Sequence, residues 1–226
     1  MIAENLNRIK ATLHPGVKLV AVSKYHLVSE VQQAYDAGQR IFGENLVQEL
    51  VIKEETLPKD IQWHYIGHLQ TNKVKYIAPF ISLIHAVDSM KLLKEIEKQA
   101  QKANRTIDCL LQLHIAAEET KFGLTPSELK SLVTSEEFCN LKNVRVVGLM
   151  AMATNTDDEV QIASEFATVK GIFDELKQTV FSDAPYFSEL SMGMSGDYLL
   201  AQEQGSTMVR IGSSIFGERD YSVRSY

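Results

Sequence analysis

Apolar and polar positions alternate in blocks along the whole chain. Short β-branched apolar runs are followed by longer stretches whose apolar residues recur at helical spacing. The first run is residues 17–24 (VKLVAVSK), and a helix over 30–37 follows it and stops at Gly38. Residues 40–44 form the second run, with a helix from 46 to about 55. The third is 62–66, with a short helix over 71–77. The fourth, 83–87, leads through Asp88 and Ser89 into the capped helix MKLLKEIEKQAQKA. After the fifth run, 108–115, the loop EETKFGLT opens a helix over 126–133, with Thr125 as N-cap and Pro126 in the first helical position. The sixth run is 145–152, and a long helix from about 158 to 178 follows the stretch TNTDD. The seventh is 186–190 with a helix over 197–204, and the eighth is 207–211.

Strands that read as continuous apolar runs belong in a parallel sheet covered on its faces by helices. Eight strands alternating with helices in a chain of 226 residues match a compact (β/α)₈ TIM barrel. Residues 1–14, with Ile2, Leu6, Ile9 and Leu13 on one side, add an amphipathic helix before it. An open doubly wound sheet is the alternative, weakened by the absence of G-x-G-x-x-G after the first strand. With no linker, repeat or low-complexity segment, residues 1–226 read as one domain.

Composition narrows the function classes. A net charge of −6, with Lys and Arg scattered among acids, lacks the basic stripe that nucleic acid requires. No apolar run approaches the roughly 20 residues of a membrane span, and no secretory signal is visible. Cys109 and Cys139 make no disulfide framework; their apolar neighbours suggest partly buried thiols and a cytoplasmic setting.

In a βα barrel the chemistry lies at the carboxyl ends of the strands. That rule selects Lys24, Glu44, Asn45, His68, Asp88, Lys121, residues 152–154, 191–195 and 212–214. Lys24 ends an apolar strand, where desolvation would lower its pKa and make its amine a nucleophile toward aldehydes; the plain alternative is a solvated strand-end lysine. Ser191-Met192-Gly193-Met194-Ser195-Gly196 and Arg210-Ile211-Gly212-Ser213-Ser214 each offer glycines, hydroxyls and backbone amides. Either could be an ordinary turn, but two such loops after strands 7 and 8 form an expected phosphate site. Barrel closure would bring strand 8 beside strand 1. A ligand with both a phosphate and an aldehyde would suit the pair, and pyridoxal phosphate is one.

Eight segments in order, LVAVSK (19–24), FGENLVQ (42–48), WHYIGHLQ (63–70), HAVDS (85–89), KFG (121–123), GLMAMA (148–153), LSMGMS (190–195) and VRIGSSIFG (209–217), resemble the YggS/PROSC family of pyridoxal phosphate homeostasis proteins. The barrel of that family looks like the N-terminal domain of alanine racemase. The resemblance implies a Schiff base on Lys24. It also implies a phosphate held by Ser191, Gly193, Gly212 and Ser213, largely through backbone amides, and Arg210 facing the pyridine nitrogen. Met192 and Asn45 are further cofactor neighbours by the same match. A permanently charged guanidinium there discourages protonation of the ring and makes it a poorer electron sink.

The resemblance further implies a role in the supply and balance of B6 vitamers and amino or keto acids, without established turnover. Partners would be pyridoxal phosphate and possible recipient apo-enzymes. The chain ends shortly after strand 8, so no racemase-type second domain is expected, and a monomer with an open, exchangeable cofactor is. Two enzyme readings compete: a low-activity amino-acid racemase, and an aldolase-like barrel using Lys24 on a sugar phosphate. His64 and His68 are four apart, but the Gly67 turn separates them and no third zinc ligand is evident. Met150, Met152, Met192 and Met194 read as packing, Asp88 with Ser89 as a helix cap, and Glu118-Glu119 as a solvated pair. SMGMSG does not fit the hydrolase elbow G-x-S-x-G.

Overall fold

A computed structural model describes residues 1–118 and 122–218. Its eight strands hydrogen-bond in sequence order and close into one parallel barrel. Helix α1 (Ile2–Lys10) precedes β1 (Lys18–Val22) and α2 (Val28–Asp36). Then come β2 (Ile41–Glu44) with α3 (Val47–Thr56), and β3 (Gln62–Tyr65) with a 3₁₀ turn and α4 (Val74–Ile77). Next are β4 (Leu83–Val87) with α5 (Met90–Lys102), and β5 (Ile107–Leu113) with α6 (Pro126–Val133) and α7 (Glu136–Cys139). The chain continues through β6 (Val144–Ala151), α8 (Glu159–Gln178), β7 (Glu189–Ser191), α9 (Tyr198–Glu203), β8 (Met208–Ile211) and α10 (Ser213–Phe216).

Local chemistry accounts for the helix starts. Thr125 Oγ1 accepts the Glu128 amide while the Glu128 carboxylate accepts the Thr125 amide, a reciprocal capping box ahead of α6. Ser89 Oγ caps α5 through the Leu92 amide, and Asp158 Oδ1 caps α8 through Val160 and Gln161. Strand β7 has only three residues, fewer than its apolar run suggests. Phe187 leaves the sheet line to stack on Phe181 at 4.1 Å and Phe173 at 4.9 Å between sheet and helices. Helices α7 and α10 are single turns with no distinct periodicity in the sequence.

One large apolar cluster lies between the sheet and the helices, and a smaller one fills the barrel with Val20, Leu83, Leu110, Val147 and Met208. Helix α1 is bound to the last two βα units. Asn5 Nδ2 donates to Ile215 O at 3.0 Å, Thr12 and Tyr198 share a hydroxyl contact of 2.9 Å, and Gln202 Nε2 donates to Thr12 O. Cys109 is buried in β5, where desolvation pushes its thiol pKa up. Cys139 is exposed rather than partly buried, because α7 turns it out to solvent. No described helix is long and apolar enough to cross a membrane.

Strand β6 can approach β7 only because Gly148 has no side chain: a Cβ there would sit 1.6 Å from Glu189 O. Gly148→Ala is expected to lower unfolding stability by about 2 kcal/mol or more, the upper part of the usual overpacking range, because the obstacle is backbone. Urea denaturation would measure this, and an unchanged midpoint would refute the close approach.

Candidate functional site at the carboxyl mouth

Strand β1 ends at Val22, so Lys24 lies two residues beyond it, in a turn rather than on the strand. The His26 amide closes that turn on Ser23 O at 3.1 Å, and Tyr25 at its third position has φ 63°. A tyrosine in the left-handed region costs roughly 1–2 kcal/mol, so the surroundings must hold it there. Lys24 itself is half-buried. The His26 ring stacks on Phe216 of α10 at 4.9 Å, which couples the lysine turn to the end of the last βα unit.

Beneath the turn lies a buried charge network. Lys53 of α3, 1% exposed, donates to Glu44 Oε1 at 2.6 Å and to Ser23 O at 2.7 Å, and approaches Glu49 Oε2 at 3.4 Å. Ser23 Oγ donates to Glu44 Oε1 at 2.6 Å, and Glu49 Oε2 accepts the Tyr25 amide at 3.0 Å. Desolvation pushes the Glu44 carboxyl up, opposed by the Lys53 charge. Glu44 Oε2 and the neighbouring Asn45 Oδ1 are buried with no hydrogen-bond partner among the described residues. The Asn45 backbone presses on Gly67, where a Cβ would lie 2.6 Å from Asn45 O.

On the far side of the β1–β8 seam, the two glycine turns meet. Ser213 Oγ donates to Ser195 Oγ at 3.3 Å. Gly193 has φ 93°, and a Cβ there would strike Ala201 at 2.6 Å, so the turn packs directly on α9. A Cβ on Gly212 would come 3.1 Å from Val22 O, two residues before Lys24. The first amides of α10, those of Ser213 and Ser214, precede any intrahelical acceptor.

Below these turns a line of buried polar groups crosses the barrel. Arg210 donates from Nη1 to Ser191 O at 2.9 Å and Oγ at 2.6 Å, and from Nη2 to Ala151 O at 3.0 Å. Ser191 Oγ lies 3.0 Å from His85 Nδ1, and His85 Nε2 lies 3.0 Å from His64 Nδ1. Burial pulls the Arg210 guanidinium down to about 10, so it stays charged at neutral pH. The Ser191 hydroxyl is therefore committed between Arg210 and His85. Met192 is fully buried, and its amide bonds Met208 O, so neither side chain reaches the lip where Gly193, Ser195, Gly212 and Ser213 gather.

Other candidates fall on the rim or outside it. His68 stacks on Phe122 at 4.1 Å and lies 3.5 Å from Asp88, linking the loops after β3, β4 and β5. Met150 and Met192 are buried, whereas Met194 is exposed. Glu118 is not a solvated charge: its Oε1 accepts the Asn155 amide at 2.9 Å because the β5 and β6 loops meet there. Lys121 and Glu119 lie outside the described residues. Among the described residues no three His, Cys, Asp or Glu side chains cluster for a metal. A cavity of about 370 Å³ opens between Met152, Thr154, Asp157, Met194 and Asp197, beside the glycine turns. A larger one, about 490 Å³, lies at the opposite, amino mouth, but its charges are already joined as Lys18–Glu189 and Arg145–Asp108.

Sequence reasoning missed Glu49, Lys53, His64 and His85 as parts of the site. The Glu49–Lys53 pair has the spacing of a solvated helix-face pair. The two histidines are 21 residues apart and meet only because β3 and β4 are neighbours.

The family described as alanine racemase, N-terminal domain, matches residues 1–220. A pyridoxal phosphate homeostasis protein of Aquifex aeolicus is 40% identical over 205 residues, covering 90% of this chain and 88% of that protein. Its counterpart in Schizosaccharomyces pombe is 38% identical over 206 residues, covering 90% and 85%. The structure of PipY from Synechococcus elongatus with pyridoxal phosphate bound superposes with a TM-score of 0.85 at 35% identity, covering 96% of this chain and 100% of that one. Without the cofactor the TM-score is 0.88 at 36% identity, with the same coverage. Alanine racemase from Bartonella henselae, 17% identical with a TM-score of 0.73, covers 100% of this chain and 60% of its own, and shares the fold.

Burial pulls His64 down to about 3 and His85 well below the usual histidine range. Both are neutral when folded, whereas in the unfolded chain they take up protons near the ordinary value of about 6.5. The unfolded state therefore binds more protons below that pH, and stability falls as pH drops from about 6.5 toward about 3. Between pH about 7 and about 5, ahead of most carboxylate titration, the paired replacement His64→Asn/His85→Gln is expected to flatten this loss in urea titrations. An equal slope in parent and variant would contradict it.

Proposed function

The chain belongs to the family of pyridoxal phosphate homeostasis proteins, built on the alanine racemase N-terminal domain, and from that premise we propose that it binds pyridoxal 5′-phosphate at the carboxyl mouth, covalently through Lys24. The observation that supports this most directly is the β1–β8 seam, where the lysine turn lies against the Gly212 turn, itself in contact with the Gly193 turn. An amine and an anion cradle thus stand within one small molecule's length of each other.

The residues present suit the group. Pyridoxal phosphate supplies an aldehyde that condenses reversibly with a primary amine, and a ring that withdraws electrons. Lys24 offers the amine, and the backbone of Gly193, Gly212 and Ser213 holds the phosphate with help from the Ser195 hydroxyl. Asn45, whose buried Oδ1 lacks a partner among the described residues, would meet the cofactor from the β2 side. Arg210 would lie toward the pyridine nitrogen, where its charge would disfavour a proton on the ring. Ser191 acts through Arg210, and Met192 forms part of the packed floor.

A ring held by a charged guanidinium is a weak electron sink, which suits a protein that stores and passes on the cofactor more than one that turns over amino acids. The role is in the balance of B6 vitamers and amino or keto acids, in the cytoplasm, as a monomer, with apo-enzymes as recipients.

Mixing the protein with pyridoxal phosphate is expected to produce a yellow absorption band. Borohydride reduction and peptide mass analysis should then place a single adduct on Lys24, absent in Lys24→Ala. Adducts spread over surface lysines would sink the assignment. Sustained conversion of an L-amino acid to its D form, lost in Lys24→Ala, would replace the carrier role with a racemase.

A further inference from the structure

We propose that Glu49 and Lys53 are positioning residues for Lys24: they fix the backbone on both sides of it and so hold its amine ready for the aldehyde. This rests on the pyridoxal phosphate reading above and adds to it two buried residues of α3.

The geometry is specific. Lys24 is flanked by one backbone acceptor and one backbone donor, and each is held by a different α3 side chain. Lys53 Nζ donates to Ser23 O at 2.7 Å, and Glu49 Oε2 accepts the Tyr25 amide at 3.0 Å. Both side chains project from the helix that follows β2, so their anchor is the neighbouring barrel unit and not the lysine turn itself. The turn needs such an anchor because Tyr25 at φ 63° is a conformation that side chains of this kind rarely adopt. Ser23 is held a third way, through its hydroxyl on Glu44. A helix-face pair that merely stabilised α3 would have no reason to be buried or to reach across to the lysine turn.

The same arrangement separates the two lysines chemically. Lys53, 1% exposed, is enclosed by the Glu44 and Glu49 carboxylates and Ser23 O, out of reach of an aldehyde. The nucleophile is then Lys24 alone, and adduct mapping should find none on Lys53.

The test uses two ligands and three variants. Pyridoxine 5′-phosphate, which carries an alcohol in place of the aldehyde, reports on phosphate and ring binding by calorimetry. Pyridoxal 5′-phosphate reports the attachment rate by rapid-mixing absorption, across a range of pH. Glu49→Ala frees the Tyr25 amide but leaves Lys53 paired with Glu44. Lys53→Met/Glu44→Gln removes the hold on Ser23 O and neutralises Glu44 with it, while Glu49 keeps the Tyr25 amide. Both are expected to slow attachment at Lys24 by about 10- to 100-fold, the usual cost of a misplaced reacting group, while pyridoxine 5′-phosphate binding is kept. Glu49→Gln, which retains a carbonyl oxygen for the Tyr25 amide, should restore most of the rate. Parental attachment rates in the folded Glu49→Ala and double variants would overturn the proposal. So would equal losses of attachment and pyridoxine 5′-phosphate binding, with no rescue by Glu49→Gln, since that is the mark of a general structural role. Failure of the parent protein to bind pyridoxine 5′-phosphate would remove the cofactor reading itself, and the proposal with it.

Discussion

Closure of the sheet between β1 and β8 is the constraint on which the rest of the structure depends. Four residues of each strand are in register, from Lys18 opposite Met208 to Ala21 opposite Ile211, so the carboxyl ends of the first and last strands finish level. The chain can then turn away on both sides of one seam, with Val22 O close against Gly212. Any residue larger than glycine at 212 would press on that carbonyl. The amine-bearing turn and one of the two glycine turns come from opposite ends of the sequence and meet only here. Helix α1 and the turn after it reinforce the seam from outside, because the bonds of Asn5 and Thr12 to Ile215, Tyr198 and Gln202 bind the start of the chain to the units that carry the glycine turns.

Burial of polar groups gives the mouth its rigidity. Inside a low-dielectric core a polar group without a partner is costly, so a satisfied network admits few alternative arrangements. Lys53 with Glu44 and Glu49 makes a buried network under the lysine turn, satisfied except at Glu44 Oε2, and Arg210 with Ser191, His85 and His64 makes another under the glycine turns. Two oxygens without a hydrogen-bond partner among the described residues, Glu44 Oε2 and Asn45 Oδ1, belong to consecutive residues at the end of β2. Hydrogen-bonding capacity is thus left open at the mouth, beside the turn that carries Lys24.

The sequence was most informative where a local rule operates. The spacing of Thr125, Pro126 and Glu128 specifies the start of α6 to the residue, and apolar runs of strand length are enough to count eight strands. Lys24 and the glycine turns were visible because strand ends are few and these residues are unusual there. What stayed hidden depends on neighbours distant in sequence. Glu49 and Lys53 look like an ordinary exposed pair until the β1 turn is laid over them. His64 and His85 need adjacent strands to meet, and the Ser191 hydroxyl reaches Arg210 only once β7 and β8 are neighbours. The short β7 had the same origin, since the stacking of Phe187 on Phe181 and Phe173 draws the chain off the sheet line. The eight motif segments mark a family without revealing which of their residues bear on one another.

The charges at the two ends of the barrel are arranged differently, and the difference bears on what each end can bind. At the amino mouth each cation has its carboxylate: Lys18 pairs with Glu189 and Arg145 with both oxygens of Asp108. A ligand there would have to compete with bonds already made. Toward the carboxyl mouth, among the described residues, the buried guanidinium of Arg210 donates to neutral oxygens, those of Ser191 and Ala151, and burial lowers its pKa. The field of Asp197 offsets part of that cost. A buried cation held by neutral acceptors gains more from a nearby anion than one already in an ion pair, because the interaction is poorly screened and displaces nothing. An anionic group seated at the β7 and β8 turns would supply that counter-charge. The larger cavity at the amino mouth is therefore the weaker candidate for an anionic ligand, and the smaller carboxyl mouth the stronger.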